Sequence, residues 1–69
     1  MKVRVYTQEN CAPCKTAKYM FDRKGIEYEE VDISPYRQEI HDKGFPPITP
    51  TFEREDGLIT QKLTTALKW

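Results

Sequence analysis

Charge of one sign is missing from this chain. Its 69 residues carry 11 Lys and Arg against 11 Asp and Glu, a formal net charge of zero, so no long-range field draws nucleic acid or an anionic membrane. Long hydrophobic runs are missing too. Met1-Lys2-Val3-Arg4-Val5-Tyr6 alternates apolar and charged side chains, unlike the continuous apolar segment of a signal peptide or membrane span. The chain is therefore expected in the cytoplasm, with neither nucleic acid nor membrane as a partner and a protein as the natural target. Repeats, linkers and low-complexity stretches are absent from the sequence. At this length a single domain, 1–69, is expected, a monomer whose core has only marginal stabilising power. Soft metal ligands are scarce: beyond Cys11 and Cys14 there is only His41. A structural zinc site wants four ligands, so no metal is expected, and His41 reads as an exposed residue with no assigned role.

What is present is Cys11-Ala12-Pro13-Cys14, between an apolar strand-like run and a helix-like one. Helix geometry brings residues three apart onto one face, so the pair reads as a redox-active dithiol able to close a small ring. Bridging needs Cα atoms roughly 4.4–6.8 Å apart, which a helix start supplies. Pro13 suits a first helical turn, where a missing N–H breaks no hydrogen bond. In the cytoplasm glutathione and thioredoxin systems keep thiols reduced, which favours a catalytic or metal-binding pair over a permanent staple. A bridge spanning two residues also constrains little unfolded-state entropy.

Around this motif the chain alternates strand and helix signals. Val3 and Val5, with Lys2, Arg4 and Tyr6 between them, have the period of two of a strand with one buried face, residues 2–6. Asn10 suits the start of the helix that follows. Ala17, Met20 and Phe21 recur at helical spacing, and Lys24-Gly25 supplies a basic last turn and a C′ glycine, so this helix spans 12–24. A second strand over 27–33 completes a right-handed βαβ unit with parallel strands. Ser34-Pro35 starts a second helix that ends at Gly44, with Tyr36, Ile40 and the stem of Lys43 along one stripe. Phe45-Pro46-Pro47-Ile48-Thr49-Pro50 cannot be helical. The Asp56-Gly57 step marks an antiparallel hairpin between strands at 51–54 and 58–61. Leu63, Ala66 and Leu67 allow one or two final helical turns. Tyr6, Tyr28, Phe52 and Trp69 are needed first as core.

The order β-α-β-α-β-β-α, with Cys-x-x-Cys opening the first helix and a proline just before the third strand, resembles the thioredoxin fold of the α/β class. The small size is similar to that of a glutaredoxin. Val3 to Thr7, Cys11 to Cys14, Lys24-Gly25-Ile26-Glu27-Tyr28 and Val31-Asp32-Ile33 followed by Ser34 carry the likeness, and the last run is especially similar to the NrdH redoxins. The resemblance implies a four-stranded mixed sheet in the order 2-1-3-4 with helices on both sides. It also implies electron donation to ribonucleotide reductase, with thioredoxin reductase as the reductant. Ala12-Pro13 is nearer the thioredoxin Gly-Pro than the glutaredoxin Pro-Tyr, which favours thioredoxin-like behaviour over glutathione dependence. Where the family usually reads Thr-Val-Pro this chain has Ile48-Thr49-Pro50-Thr51. The resemblance thus gives Pro50 the role of a cis-proline beside the cysteines, with Thr49 and Thr51 flanking it on the substrate-binding edge. The glycine pair and acidic residues that hold glutathione in glutaredoxins, and the Trp-Ser-Gly-Phe stretch of NrdH proteins, are absent after the hairpin.

Disulfide exchange requires a thiolate, whereas a free thiol has a pKa of about 8.5. The unpaired N–H groups and partial positive charge of a helix N-terminus favour the anion at Cys11. Cys11 is accordingly expected to be the nucleophile and Cys14, a turn further in, the more buried resolving thiol. No cofactor is expected beyond the Cys11–Cys14 disulfide itself, and Lys15 reads as a solvated helix lysine. The alternatives to a dithiol reductase are a glutathione-dependent glutaredoxin and a noncatalytic module that uses the cysteines as a redox-sensitive latch.

Overall fold

The alternation at the start of the chain becomes a strand, β1 (Val3–Thr7), at the centre of a sheet covered on both faces. In the computed structural model, which describes residues 2–69, β1 pairs in parallel with β2 (Tyr28–Asp32), Val3 opposite Tyr28 and Thr7 opposite Asp32. On its other side it pairs antiparallel with β3 (Thr51–Glu53), Val5 opposite Phe52. A two-residue strand, β4 (Ile59–Thr60), continues the sheet from β3, giving the order β2-β1-β3-β4. This mixed sheet and the helices below are the thioredoxin fold.

Helix α1 (Ala12–Lys24) crosses between β1 and β2. Cys14, Ala17 and Phe21 form its buried stripe, the 3- and 4-residue spacing that keeps side chains on one face. Its end is set by Gly25 in the left-handed region (φ 69°). The Gly25 N–H donates to Asp22 O at 3.2 Å and the Ile26 N–H to Phe21 O at 3.0 Å, the paired bonds of a Schellman stop. No atom lies within 4 Å of a Cβ placed on Gly25, so Gly25→Ala is expected to cost about 1–2 kcal/mol through backbone conformation alone. A urea titration should show a lower midpoint with an unchanged slope.

Two cores follow from the two faces. Val3, Val5 and Phe52 pack with Ala17 and Phe21 of α1 and with Ala66 of α3 (Leu63–Ala66), while Tyr28, Leu67 and Trp69 close the margin. On the opposite face Tyr6 packs with Ile33 and Ile40, flanked by Val31, Tyr36 and Phe45. Tyr6 is 0% exposed, in the core as expected of an aromatic residue in a domain this small, although alternation along the strand puts it on the same face as Lys2 and Arg4. Its hydroxyl reaches the edge of the sheet, donating to Glu53 Oε1 at 2.8 Å and accepting from Arg4 Nη1 at 3.2 Å. Burial first, and Glu53 next to it, push the Tyr6 hydroxyl above its ordinary pKa, with Arg4 opposing them. The phenol thus stays a neutral donor.

The remaining differences from expectation are local. β1 runs 3–7 and β2 runs 28–32, β3 stops at Glu53, and β4 keeps only Ile59 and Thr60. The second helix does not run unbroken from Ser34 to Gly44. Ser34–Tyr36 form one 3-10 turn, Tyr36 leaves helical angles (φ −111°, ψ 3°), and α2 (Arg37–Asp42) begins after it. Within α2 only Ile40 is buried; Lys43 lies outward, its Nζ 3.1 Å from Glu53 Oε2. The hairpin turn forms at Asp56-Gly57, where Gly57 takes φ 93° and the Arg54 N–H donates to Leu58 O at 2.8 Å. No helix among the described residues is long and apolar enough to cross a membrane.

Candidate active site

The C-terminal end of β1 delivers the chain to the site through a four-residue loop. Asn10, expected to begin the helix, instead takes a left-handed conformation (φ 58°), one that asparagine tolerates better than most residues. This turn places Cys11 at the N-cap in an extended conformation, where its Sγ accepts the N–H of Cys14 at 3.2 Å. A side chain accepting from the third helical N–H is the ordinary capping arrangement, with sulfur in place of the usual oxygen. Cys11 is thus the cap itself, and its carbonyl accepts the Lys15 N–H at 3.3 Å.

Cys11 and Cys14 are bonded to each other with Cα atoms 5.3 Å apart, within the ordinary range for a bridge. Cys11 is 7% exposed and Cys14 2%. Ala12 and Pro13, between them, lie on the surface, with Pro13 in the first helical turn. The difference in cover comes from the helix: Cys14 begins the stripe that continues through Ala17 and Phe21 into the core. His41 lies on the surface of α2, and among the described residues no three His, Cys, Asp or Glu side chains converge as metal ligands would.

The loop from Pro46 to Pro50 is folded back against the cysteines. The Thr49–Pro50 peptide bond is cis, Thr49 and Pro50 are half-buried and Thr51 is buried. The Thr49 hydroxyl lies 3.3 Å from Cys11 Sγ and donates to it. Three other side chains hold this loop. Thr51 donates its hydroxyl to Ile48 O at 2.6 Å, and Gln61 Nε2 donates to Pro46 O at 2.6 Å and to Thr51 Oγ1 at 3.1 Å. Arg37 spans the two loops around the disulfide, with Nη1 on Pro47 O at 2.9 Å and Nη2 on Gln8 Oε1 at 2.8 Å. These bonds satisfy carbonyls that a proline-rich segment cannot pair in a sheet. Ile48 is left 52% exposed on the same loop.

Arg37 and Gln61 had no visible role in the sequence. Arg37 opens the short helix α2 and Gln61 lies in the link between β4 and α3, and only the return of the Pro46–Pro50 loop brings acceptors to them. A further tie fixes α1 against the sheet beside the site: Glu30 Oε2 accepts from Lys18 Nζ at 2.9 Å and from the Thr7 hydroxyl at 3.0 Å. The Lys18 hydrogen bond, then that from Thr7, holds the Glu30 carboxyl below its usual pKa.

A thioredoxin fold with a cysteine pair closing the first turn of α1, and a cis-proline loop packed on the outer sulfur, defines a dithiol–disulfide domain. The chain belongs to the glutaredoxin family, whose model matches residues 3–52. It is similar to Glutaredoxin 1 of Rickettsia conorii (strain ATCC VR-613 / Malish 7), being 41% identical over 39 residues. That stretch covers 56% of this chain but only 38% of the relative, so the chain matches well under half the length of that protein. No solved structure matches the chain.

Proposed function

We propose that the chain is a dithiol–disulfide oxidoreductase that reduces disulfides in proteins. The observation that carries this reading is the placement of Cys11 Sγ at the N-cap of α1, under the Cys14 N–H and barely open to solvent. A thiolate there meets unpaired helix N–H groups and the positive end of the dipole. Cys11 attacks one sulfur of a substrate disulfide; the new S–S bond forms as the old one breaks, and the departing sulfur takes a proton. Cys14 then attacks Cys11 Sγ, expelling the second substrate sulfur as a thiolate and leaving the Cys11–Cys14 disulfide. Two electrons have passed to the substrate, and a reductant must return two to the chain. Thr49, Pro50 and Thr51 provide the edge on which an extended substrate segment lies.

The finer reading is NrdH-like: a cytoplasmic monomer with a single domain over 1–69, needing no further cofactor, that gives electrons to ribonucleotide reductase and is recharged by thioredoxin reductase. Ala12-Pro13 between the cysteines and the lack of a glycine pair after the hairpin support it. Membership of the glutaredoxin family favours a second reading, in which glutathione is the reductant. Turnover of insulin and of ribonucleotide reductase, followed by NADPH oxidation, separates the two. Activity is expected with thioredoxin reductase. Turnover with glutathione and glutathione reductase alone would overturn the NrdH-like reading, and none with either system would leave a noncatalytic, redox-sensitive module.

A further inference from the structure

The Cys11 sulfur has two hydrogen-bond donors, and they come from opposite sides. One is the Cys14 N–H at 3.2 Å, part of the helix cap. The other is the Thr49 hydroxyl at 3.3 Å, from a residue 38 positions along the chain. The segment that carries this hydroxyl is pinned beside Cys11: Thr51 donates to Ile48 O, and Gln61 and Arg37 donate to the carbonyls of Pro46 and Pro47.

We propose that the Thr49 hydroxyl, through its hydrogen bond to Cys11 Sγ, stabilises the Cys11 thiolate and so shifts the cysteine pair toward its reduced form. The inference rests on the reading of Cys11 as the nucleophile. A disulfide sulfur is a weak acceptor, but a thiolate carries a full charge, and a donor that meets it makes a charge-assisted bond. Hydrogen bonding to the charged form favours that form. Reduction breaks the Cys11–Cys14 bond with two electrons from a thiol reductant, itself oxidised to a disulfide. One proton goes to the Cys14 sulfur, and Cys11 remains an anion under both donors. The same hydroxyl therefore acts on two quantities, the acidity of Cys11 and the potential of the pair. The charged groups on the surrounding elements, Glu9 in the preceding loop, Lys15 on α1 and Arg37 on α2, all lie exposed and are unchanged by substitution at Thr49.

Thr49→Val keeps the branched shape and removes the donor, while Thr49→Ser keeps the donor and removes the methyl group. The reduced proteins would be alkylated with iodoacetamide across a pH series, the labelled cysteine mapped by peptide mass, and the oxidised fraction measured in glutathione buffers. Thr49→Val is expected to raise the Cys11 midpoint by about one pH unit, the differential effect of one hydrogen bond to a charged group. Its redox equilibrium should move about tenfold toward the disulfide, a potential about 30 mV more negative. Thr49→Ser should stay close to wild type in both. A wild-type midpoint and potential in Thr49→Val would overturn the proposal while leaving Cys11 as nucleophile. So would equal shifts in the two variants, which would make the methyl packing responsible. First labelling at Cys14 would overturn both the proposal and the reading beneath it.

Discussion

Replacing Cys11 by serine is expected to bring disulfide reduction down to the uncatalysed rate, while replacing Cys14 by serine should stop the protein after half a cycle. The asymmetry follows from position. Cys11 is at the N-cap, with Ala12 and Pro13 exposed beside it and a half-buried peptide edge at Thr49 and Pro50. Cys14 is 2% exposed and faces Ala17 and Phe21. A substrate disulfide can approach the first sulfur in line, but reaches the second only through it. Serine at Cys11 leaves no thiolate within reach of substrate, because hydroxyl groups do not ionise at neutral pH. Serine at Cys14 leaves the attack intact and removes the resolving thiol, so one substrate should be retained per chain as a mixed disulfide. Mass spectrometry under non-reducing conditions would show the adduct, and a thiol such as dithiothreitol should release it. An adduct formed through Cys14 in the Cys11→Ser protein would reverse the assignment of roles.

Much of this arrangement could be read from local signals, and the parts that could not are those set by distant segments. The bounds of α1 emerge unchanged because Pro13 and Gly25 act within a turn of their own positions. The face carrying Val3 and Val5 is legible from alternation alone. The other face is not, because Tyr6 is covered by Ile40 and Phe45, which reach it only after the chain has crossed the sheet. Asn10 looks like a cap by residue type, yet its left-handed backbone passes that place to Cys11. The cysteine pair is read from spacing, whereas the hydroxyl of Thr49 is not. Its contact with Cys11 depends on how the Pro46–Pro50 loop is pinned by Arg37 and Gln61, and no periodicity marks either residue. Spacing along one element locates the sulfurs; the packing of remote loops decides what surrounds them.

The largest effect on stability is expected from Phe52→Ala. Phe52 is 0% exposed and sits in β3 opposite Val5, with its ring centroid 5.5 Å from that of Phe21. It joins α1 to the sheet at the point where β1, β3 and the helix meet. Truncating a buried phenylalanine costs about 3–5 kcal/mol, through lost transfer free energy and the cavity left behind. A chain of 69 residues has roughly 3–10 kcal/mol of total stability. The substitution therefore removes between a third and all of it, which no surface change in this chain could do. Urea unfolding followed by circular dichroism should show the midpoint falling by about a third or more, or the protein unfolded without denaturant. Phe52→Leu, which keeps most of the volume, should lose much less. The site should feel the change as well. Thr51 and Pro50 precede Phe52 directly, and β3 is only three residues long, so a loosened Phe52 frees the strand that anchors the cis-proline loop. A midpoint within the error of wild type would mean that the two aromatic rings do not form the joint between helix and sheet, and that the fold is held at its second core around Tyr6.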